Sequence, residues 1–251
     1  MGESSVGEVV YFRPMRSGPE RRIEDAVASN VTGLVSVRRT PLWMAGSLTI
    51  GAGMPDLLAV AWEPCVTALA NPALADSSLL AYLRAVGPAR LDTIVTRLRR
   101  SSRSVSEMLE ALVEAAVIRR RNDVFDLAPV WKAVLPEVIA VEAKVADWRR
   151  ALAQAARNQI FAHRSFVALP EKVANRVYED QMFKVTGVGV LSVGSAGTVE
   201  VLRRAAARRP RVWAYYYQLA HEVARNTTST TECRSSSQSS RRGNSIPSMS
   251  L

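Results

Sequence analysis

The stretch Val138-Ile139-Ala140-Val141-Glu142-Ala143-Lys144-Val145 decides the fold class of this chain. Its aliphatic, largely β-branched residues are typical of a buried β-strand. Because side chains alternate along a strand, Glu142 and Lys144 are expected on one face, about 7 Å apart. Burying an unpaired charge is costly. The stretch therefore predicts a core strand, and a divalent metal with phosphate and water around it would account for both charges.

A second acidic residue, Asp56, follows Pro55 in a segment with strand character. Residues 42–62 are predicted to be extended, with a hairpin whose bend is the glycine-rich Gly51-Ala52-Gly53 and whose second strand starts near Asp56. Upstream, residues 17–31 are predicted to form a helix with an i, i+4, i+8 apolar stripe. Ser17 and Glu20 have the spacing of a capping box at its start.

The residues after Lys144 continue an alternation of helix and strand. A helix is predicted from Asp147, a suitable N-cap, and strands are predicted over 165–169 and 185–193. Strand, helix and strand at this spacing indicate a crossover unit in a partly parallel sheet. We therefore expect an α/β fold.

The middle of the chain has a different pattern. Helices are predicted at 78–86, over Leu91–Leu98 and around Leu109, followed by two short strands joined by the turn Arg-Arg-Asn-Asp. Three helices and a basic hairpin in about 55 residues have the outline of a winged helix-turn-helix.

Composition narrows the classes of partner. The 251 residues carry a net charge of +10, and the pI near 10.3 favours nucleic acid ahead of an anionic membrane surface. With two cysteines and two histidines, Cys65, Cys233, His163 and His221, neither a disulfide framework nor a multi-histidine metal centre is expected. The amino terminus lacks the regions of a signal peptide, so we expect a cytoplasmic protein without membrane attachment.

Taken in chain order, these motifs resemble the PD-(D/E)xK nuclease superfamily, which has the restriction-endonuclease-like fold. The matching residues are Pro55-Asp56 on the hairpin and Glu142 with Lys144 on the next core strand. The resemblance covers roughly 17–62 and 136–205. It implies a restriction-endonuclease-like mixed sheet flanked by helices, formed by 17–64 and 136–225. The winged helix at 77–130 would be an insertion. Independently of the resemblance, the Ser/Thr-rich composition of 226–251, with almost no apolar residues, predicts a disordered tail.

The resemblance also implies a site and a reaction. Asp56 and Glu142 would bind Mg²⁺, or Mn²⁺ in its place, and Lys144 would orient water or neutralise charge during hydrolysis of a phosphodiester bond. Glu24, or Glu20, would be the acid that many members carry on the first helix. Gln154 would be a positioning group on the following helix.

The winged helix is expected to contact DNA, and duplex DNA is the expected form. Hydroxyls and guanidinium groups at the start of a recognition helix and on a wing suit phosphates and base edges. The candidate DNA-binding residues are Arg97, Arg99, Arg100, Ser102, Arg103, Ser104, Arg119, Arg120 and Arg121. Cutting both strands with one site per chain would favour a homodimer.

Other interpretations remain open at the level of sequence. Glu142 and Lys144 could be a solvated pair on an edge strand. The protein could be a DNA-binding transcriptional regulator on a non-catalytic nuclease-like scaffold, or a processing subunit active only in a larger assembly. The winged unit could serve protein contact or dimerisation. The metal-dependent DNA endonuclease accounts for the largest number of motifs.

Overall fold

The computed structural model of the chain describes residues 8–14, 17–37, 40–51 and 53–239. Its strands are β1 (Val10–Tyr11), β2 (Leu42–Gly46), β3 (Leu57–Ala61), β4 (Ala89–Arg90), β5 (Ile118–Arg121), β6 (Val124–Leu127), β7 (Glu137–Ala143), β8 (Arg164–Pro170), β9 (Gly189–Val193) and β10 (Val199–Arg203). Its helices are α1 (Pro19–Ser29), α2 (Ser77–Val86), α3 (Leu91–Leu98), α4 (Ser102–Glu114), α5 (Trp148–Asn158), α6 (Glu171–Val177), α7 (Gln181–Thr186) and α8 (Trp213–Ser239). Among the described residues, no helix combines the length and apolar composition needed to cross a membrane.

A mixed seven-stranded sheet in the order β1-β2-β3-β7-β8-β9-β10 forms the larger part of the molecule. The β2–β3, β3–β7 and β9–β10 pairs are antiparallel, whereas β1–β2, β7–β8 and β8–β9 are parallel. The predicted α/β class is confirmed. β7, which contains 138–143 of the stretch 138–145, lies in the middle of the sheet, and every one of its residues is buried.

Alternation along β7 gives the sheet two apolar faces. Ile139 and Val141 pack in one cluster with Val27 of α1, while Val138 and Ala140 pack in another that includes Leu219 of α8. Because both faces are covered, β7 is a continuous apolar run, as expected of a strand buried on both sides.

The middle segment forms the elements that its pattern predicted. α2, α3 and α4 are followed by the β5–β6 hairpin, and β4 completes a three-stranded sheet in the order β4-β6-β5. We call residues 77–127 the winged unit, after the winged helix-turn-helix that the sequence predicts for them. Its apolar residues Leu109 and Phe125 belong to the same cluster as Leu58 and Val60 of the large sheet. The winged unit and the large sheet therefore share one core.

The predicted hairpin forms, but two local details differ. Its arms are β2 and β3, and β3 begins at Leu57, next to Asp56 as expected; residues 48–50 lie in the connection instead of the first arm, and Ile50 forms an isolated bridge with Gly53. The capping box does not form, because α1 has Gly18 as its N-cap and Pro19 in its first turn. Glu20 is thereby left to reach another partner, Lys144.

Two boundaries also differ from expectation. Val185 and Thr186 end α7, so the strand predicted over 185–193 begins only at Gly189. α8 continues past Asn226, where the tail was predicted to begin, as far as Ser239. Side chains of Asn226, Thr227 and Thr228 donate to carbonyls one turn earlier, which satisfies them within a helix. The remaining tail, 240–251, lies outside the described residues.

Candidate active site

The antiparallel pairing of β3 with β7 brings the two predicted motifs together. Leu57 pairs with Val141, and one residue further the Asp56 carboxylate Oδ2 accepts the backbone N–H of Ala143 at 2.8 Å. Asp56 and Ala143 are 87 residues apart in the chain. The winged unit is inserted between these strands without separating them.

Lys144 follows directly after β7 and joins this contact. Its Nζ donates to Asp56 Oδ2 at 3.3 Å, to Glu20 Oε2 at 3.4 Å and to the carbonyl of Ala143 at 2.8 Å. Burial lowers the pKa of Lys144, but the carboxylates of Asp56 and Glu20 outweigh it and raise the pKa above its usual value. Lys144 is therefore a fixed cation at the end of the strand.

Glu142 is a buried carboxylate whose two oxygens differ in hydrogen bonding. Its side chain is only 2% exposed, and Oε1 accepts the amide N–H of Asn158 at 2.7 Å. Oε2 is also buried and has no hydrogen-bond partner among the described residues. Burial, with the nearby charge of Asp56, raises the pKa of Glu142 to about 8. The interpretation of Glu142 and Lys144 as a solvated edge pair is wrong, because β7 is central and Glu142 is buried.

Glu137 on the same strand shows how a structural carboxylate is accommodated here. It is buried too, but it accepts the backbone N–H groups of Ser36 and Val37 and forms an ion pair with Arg164 at 3.3 Å. The unpartnered oxygen of Glu142 is therefore a property of that position and not of β7 in general.

Helix α1 brings further acids to the site. Glu20 contacts Lys144, as described above, and Glu24 lies one turn later on the same helix. Burial and then the charge of Asp56 raise the pKa of Glu24 to about 7, against the opposing effect of Arg21, which lies 3.6 Å away. The alternatives Glu24 and Glu20 thus both lie near Asp56 or Lys144.

Helix α5 carries two amides, of which one contacts Glu142. The predicted positioning group Gln154 has a buried Oε1 without a hydrogen-bond partner in the described part of the chain. Asn158, one turn later, donates to Glu142, and sequence reasoning did not identify it. The i, i+4 spacing of Gln154 and Asn158 could have indicated a shared helix face, but not which acid that face meets.

The donor chemistry fits a hard divalent cation. In the described residues, no group of three His, Cys, Asp or Glu side chains is placed to hold a metal. Mg²⁺, however, usually takes one or two carboxylates and completes its shell with water and substrate phosphate. Asp56 and Glu142 supply two carboxylates, and the free oxygen of Glu142 is the kind of ligand that Mg²⁺ prefers.

The candidate DNA-binding residues lie at several places on the winged unit. Arg119, Arg120 and Arg121 are exposed on the wing, and Arg120 covers the ring of Phe125. Arg100 is held in an ion pair with Asp76.

At the start of α4, Ser101 caps the helix by accepting the N–H of Ser104. Ser102 and Arg103 are exposed there, with Arg103 paired to Glu107. Arg97 and Arg99 are exposed beside an open groove of about 650 Å³. The groove is lined by Tyr82, Val86, Asp92, Thr93, Thr96, Arg97 and Arg99.

Comparison with known proteins assigns no family to this arrangement: no family model, curated protein or solved structure matches the chain.

Proposed function

We propose that the protein is a metal-dependent DNA endonuclease of the PD-(D/E)xK type, with a restriction-endonuclease-like core and an inserted winged helix that binds duplex DNA. The observation that carries the proposal is the convergence of Asp56, Glu142 and Lys144 at neighbouring ends of β3 and β7. The unpartnered oxygen of Glu142 adds to it.

Buried polar groups are normally hydrogen-bonded, so an unpartnered carboxylate oxygen requires an explanation. An isolated buried charge would be costly, and the raised pKa of Glu142 expresses that cost. A cation shared by Glu142 and Asp56 would remove it. The orphaned oxygen is therefore better explained by a ligand than by packing.

In this proposal the carboxylates of Asp56 and Glu142 hold Mg²⁺, or Mn²⁺ in its place. When bound, the ion would acidify a water and offset negative charge on the phosphate. The chain's own groups have separate tasks. Lys144 places its positive charge beside the phosphate and the attacking water, Asn158 holds one oxygen of Glu142 in place, and the N–H of Ala143 orients Asp56.

The overall reaction adds one water across a phosphodiester. The water oxygen bonds to phosphorus, the bond from phosphorus to one sugar oxygen breaks, and that oxygen takes up a proton. Glu24, with its pKa near 7, is placed on α1 to exchange protons with solvent close to Asp56.

Plasmid and oligonucleotide cleavage with Mg²⁺ or Mn²⁺ tests the proposal. Wild type should cut, and Asp56→Ala and Lys144→Ala should each lose at least about a hundredfold in rate while retaining duplex binding. Asp92→Ala, in the groove of the winged unit, is the control for loss of an acid and should retain cutting. Cutting that survives both site substitutions would contradict the proposal.

A second candidate is a DNA-binding regulator whose nuclease-like core is a scaffold. The observation in its favour is that Asp56 is already engaged by the N–H of Ala143 and the ammonium of Lys144. Tight, salt-sensitive duplex binding without cutting under any metal condition would favour this regulator over the endonuclease.

A further inference from the structure

Residues 203–211, which we call the arginine segment, connect β10 to α8 and have no part in the site described above. Five of their nine residues are arginine, namely Arg203, Arg204, Arg208, Arg209 and Arg211. The surrounding sequence from Val201 to His221 contains neither Asp nor Glu. This gives the segment a high local density of positive charge.

The backbone of the arginine segment is fixed to the core. Ala206 N–H donates to the carbonyl of Gly187, Arg208 N–H to that of His163, and Arg211 N–H to that of Ile160, each at 2.9–3.0 Å. An anchored backbone presents its side chains from defined positions. Binding by such side chains loses less conformational entropy than binding by a free tail.

The five arginines fall into two groups. Arg203 donates to the carbonyl of Tyr178, and Arg208 is half-buried beside Gly187, so both have structural contacts. Arg204, Arg209 and Arg211 are exposed, and none of them forms an ion pair with a carboxylate within the described ranges. Three guanidinium groups are thus presented to solvent without compensating charge.

The segment is attached at the starts of β8 and β9, about one strand length from the candidate active site at the end of β7. Arg211 is bonded to Ile160, two residues after Asn158, which holds Glu142. Arg157 on the same turn is exposed and close enough to act on the pKa of Glu142. Arg208 is hydrogen-bonded to His163, whose N–H donates to the carbonyl of Val138, and Glu142 lies about 13 Å further along β7 by the rise of a strand. That distance is well under the roughly 34 Å of one turn of duplex DNA. One duplex can therefore reach the site and the segment together.

We propose that Arg204, Arg209 and Arg211 bind backbone phosphates of the duplex whose scissile phosphate lies at Asp56 and Glu142. This inference rests on the proposed function and adds a second contact to the winged unit. The planar guanidinium fork matches phosphate oxygens, and such contacts fix the register of a duplex without reading its sequence. The core itself then holds the DNA beside the site.

The test is duplex binding as a function of salt, measured without cutting. In a Lys144→Ala background with EDTA, the affinity for a 30-base-pair duplex is measured between about 50 and 300 mM salt. Replacing Arg204, Arg209 and Arg211 with Gln should lower the slope of log K against log salt by about 2–3, and affinity at 0.1 M by about tenfold or more. The matched control replaces the exposed Arg22, Arg176 and Lys184 with Gln, which removes the same charge from other elements.

A slope that is unchanged, or lowered equally by the control, would overturn the inference. So would loss of binding to phosphatidylserine vesicles with duplex binding intact, because the ligand would then be a lipid surface. The melting temperature of the triple variant checks that it is folded. If wild type binds duplex DNA but never cuts it, only the proposed endonuclease activity is contradicted. The comparison of salt slopes would still decide whether the arginine segment binds DNA.

Discussion

At the scale of single residues, Glu142 is a buried carboxylate whose unpartnered oxygen opposes folding. A buried carboxylate oxygen without a donor destabilises the folded state by about 1–3 kcal/mol. Its neighbour Glu137 shows that the same strand can bury a fully bonded carboxylate. Such local costs are characteristic of functional positions.

Glu142→Gln should therefore stabilise the metal-free protein. The pKa of Glu142 is raised from 4.5 to about 8, so between these pH values the folded state holds a proton that the unfolded chain releases. The free energy of unfolding of wild type thus falls as pH rises through this window, and the variant lacks that loss. Thermal melts with EDTA should show a Tm advantage for the variant that grows to about 2–8 °C at pH 8.

A comparison of wild type with Glu142→Gln also tests whether Glu142 is a metal ligand. Mn²⁺ should raise the Tm of wild type and leave that of Glu142→Gln nearly unchanged, because ligand binding stabilises only the form that binds. An equal Mn²⁺ response in both proteins would remove Glu142 from the ligand set.

Asn158→Ala should weaken Mn²⁺ binding by about 10–100-fold, because outer partners of metal ligands have effects of this size. Titration calorimetry on the folded protein gives this affinity without relying on cleavage. Gln159→Ala is the matched control, since Gln159 is also a buried amide but donates to the carbonyl of Thr186. It should lower Tm and leave the Mn²⁺ affinity unchanged. Equal affinities in wild type and Asn158→Ala would make Asn158 a packing residue only.

At the scale of elements, the connection between β2 and β3 supports α5. A Cβ at Gly53 would lie 2.6 Å from Asn158 Oδ1 and 3.0 Å from the ring of Phe161. Gly53→Ala should displace the Asn158 side chain, lower Tm by about 2–8 °C and reduce cleavage. Gly33→Ala, where a Cβ meets open space, should do neither. If Gly53→Ala leaves Tm and the cleavage rate unchanged, the Asn158 side chain can move to admit a methyl group at position 53 without loss of function.

The wing makes a separate prediction about charge. Arg119 and Arg121 are exposed two residues apart on β5, and replacing both with Gln should lower the salt slope of duplex binding by about 2 without changing Tm. Arg100→Gln should instead lower Tm, since Arg100 is paired with Asp76, the N-cap of α2. An unchanged slope and an unchanged Tm in the wing variant would favour a role in protein contact.

These elements also show what sequence can specify. The apolar run of β7 and the amphipathic helices of the winged unit are local patterns, and they were predicted close to their observed bounds. The contact of Asp56 with Ala143, beside Glu142, depends on the register of β3 against β7 across an 87-residue separation, which local pattern does not encode. Asn158 was missed for a related reason. An amide at the end of a helix gives no signal until its long-range partner is known.

At the scale of the whole molecule, α8 connects the winged unit to the large sheet. It packs against α2, and its buried tyrosines reach the segment that leads into β7. Because the apolar cluster runs from Leu58 through Leu219 to Leu109, the two parts share one core. We expect them to unfold together, in one cooperative transition.

Two adjacent tyrosines test this coupling. The Tyr216 hydroxyl accepts the N–H of Leu135 at 2.7 Å and donates to its carbonyl at 3.1 Å, whereas the Tyr217 hydroxyl donates only to the carbonyl of Trp131. Tyr216→Phe leaves two buried backbone groups unpaired and Tyr217→Phe leaves one, at about 1–3 kcal/mol for each group.

Calorimetry should therefore give a larger loss of Tm for Tyr216→Phe than for Tyr217→Phe, with a single peak in both. Each substitution keeps the aromatic ring, so packing is preserved and the difference reports the hydrogen bonds. A second, earlier transition in Tyr216→Phe would mean that the winged unit unfolds apart from the sheet. In the proposed function, duplex DNA bound by the winged unit would then be coupled to Asp56 and Glu142 only through a flexible connection, and cutting would not depend on α8.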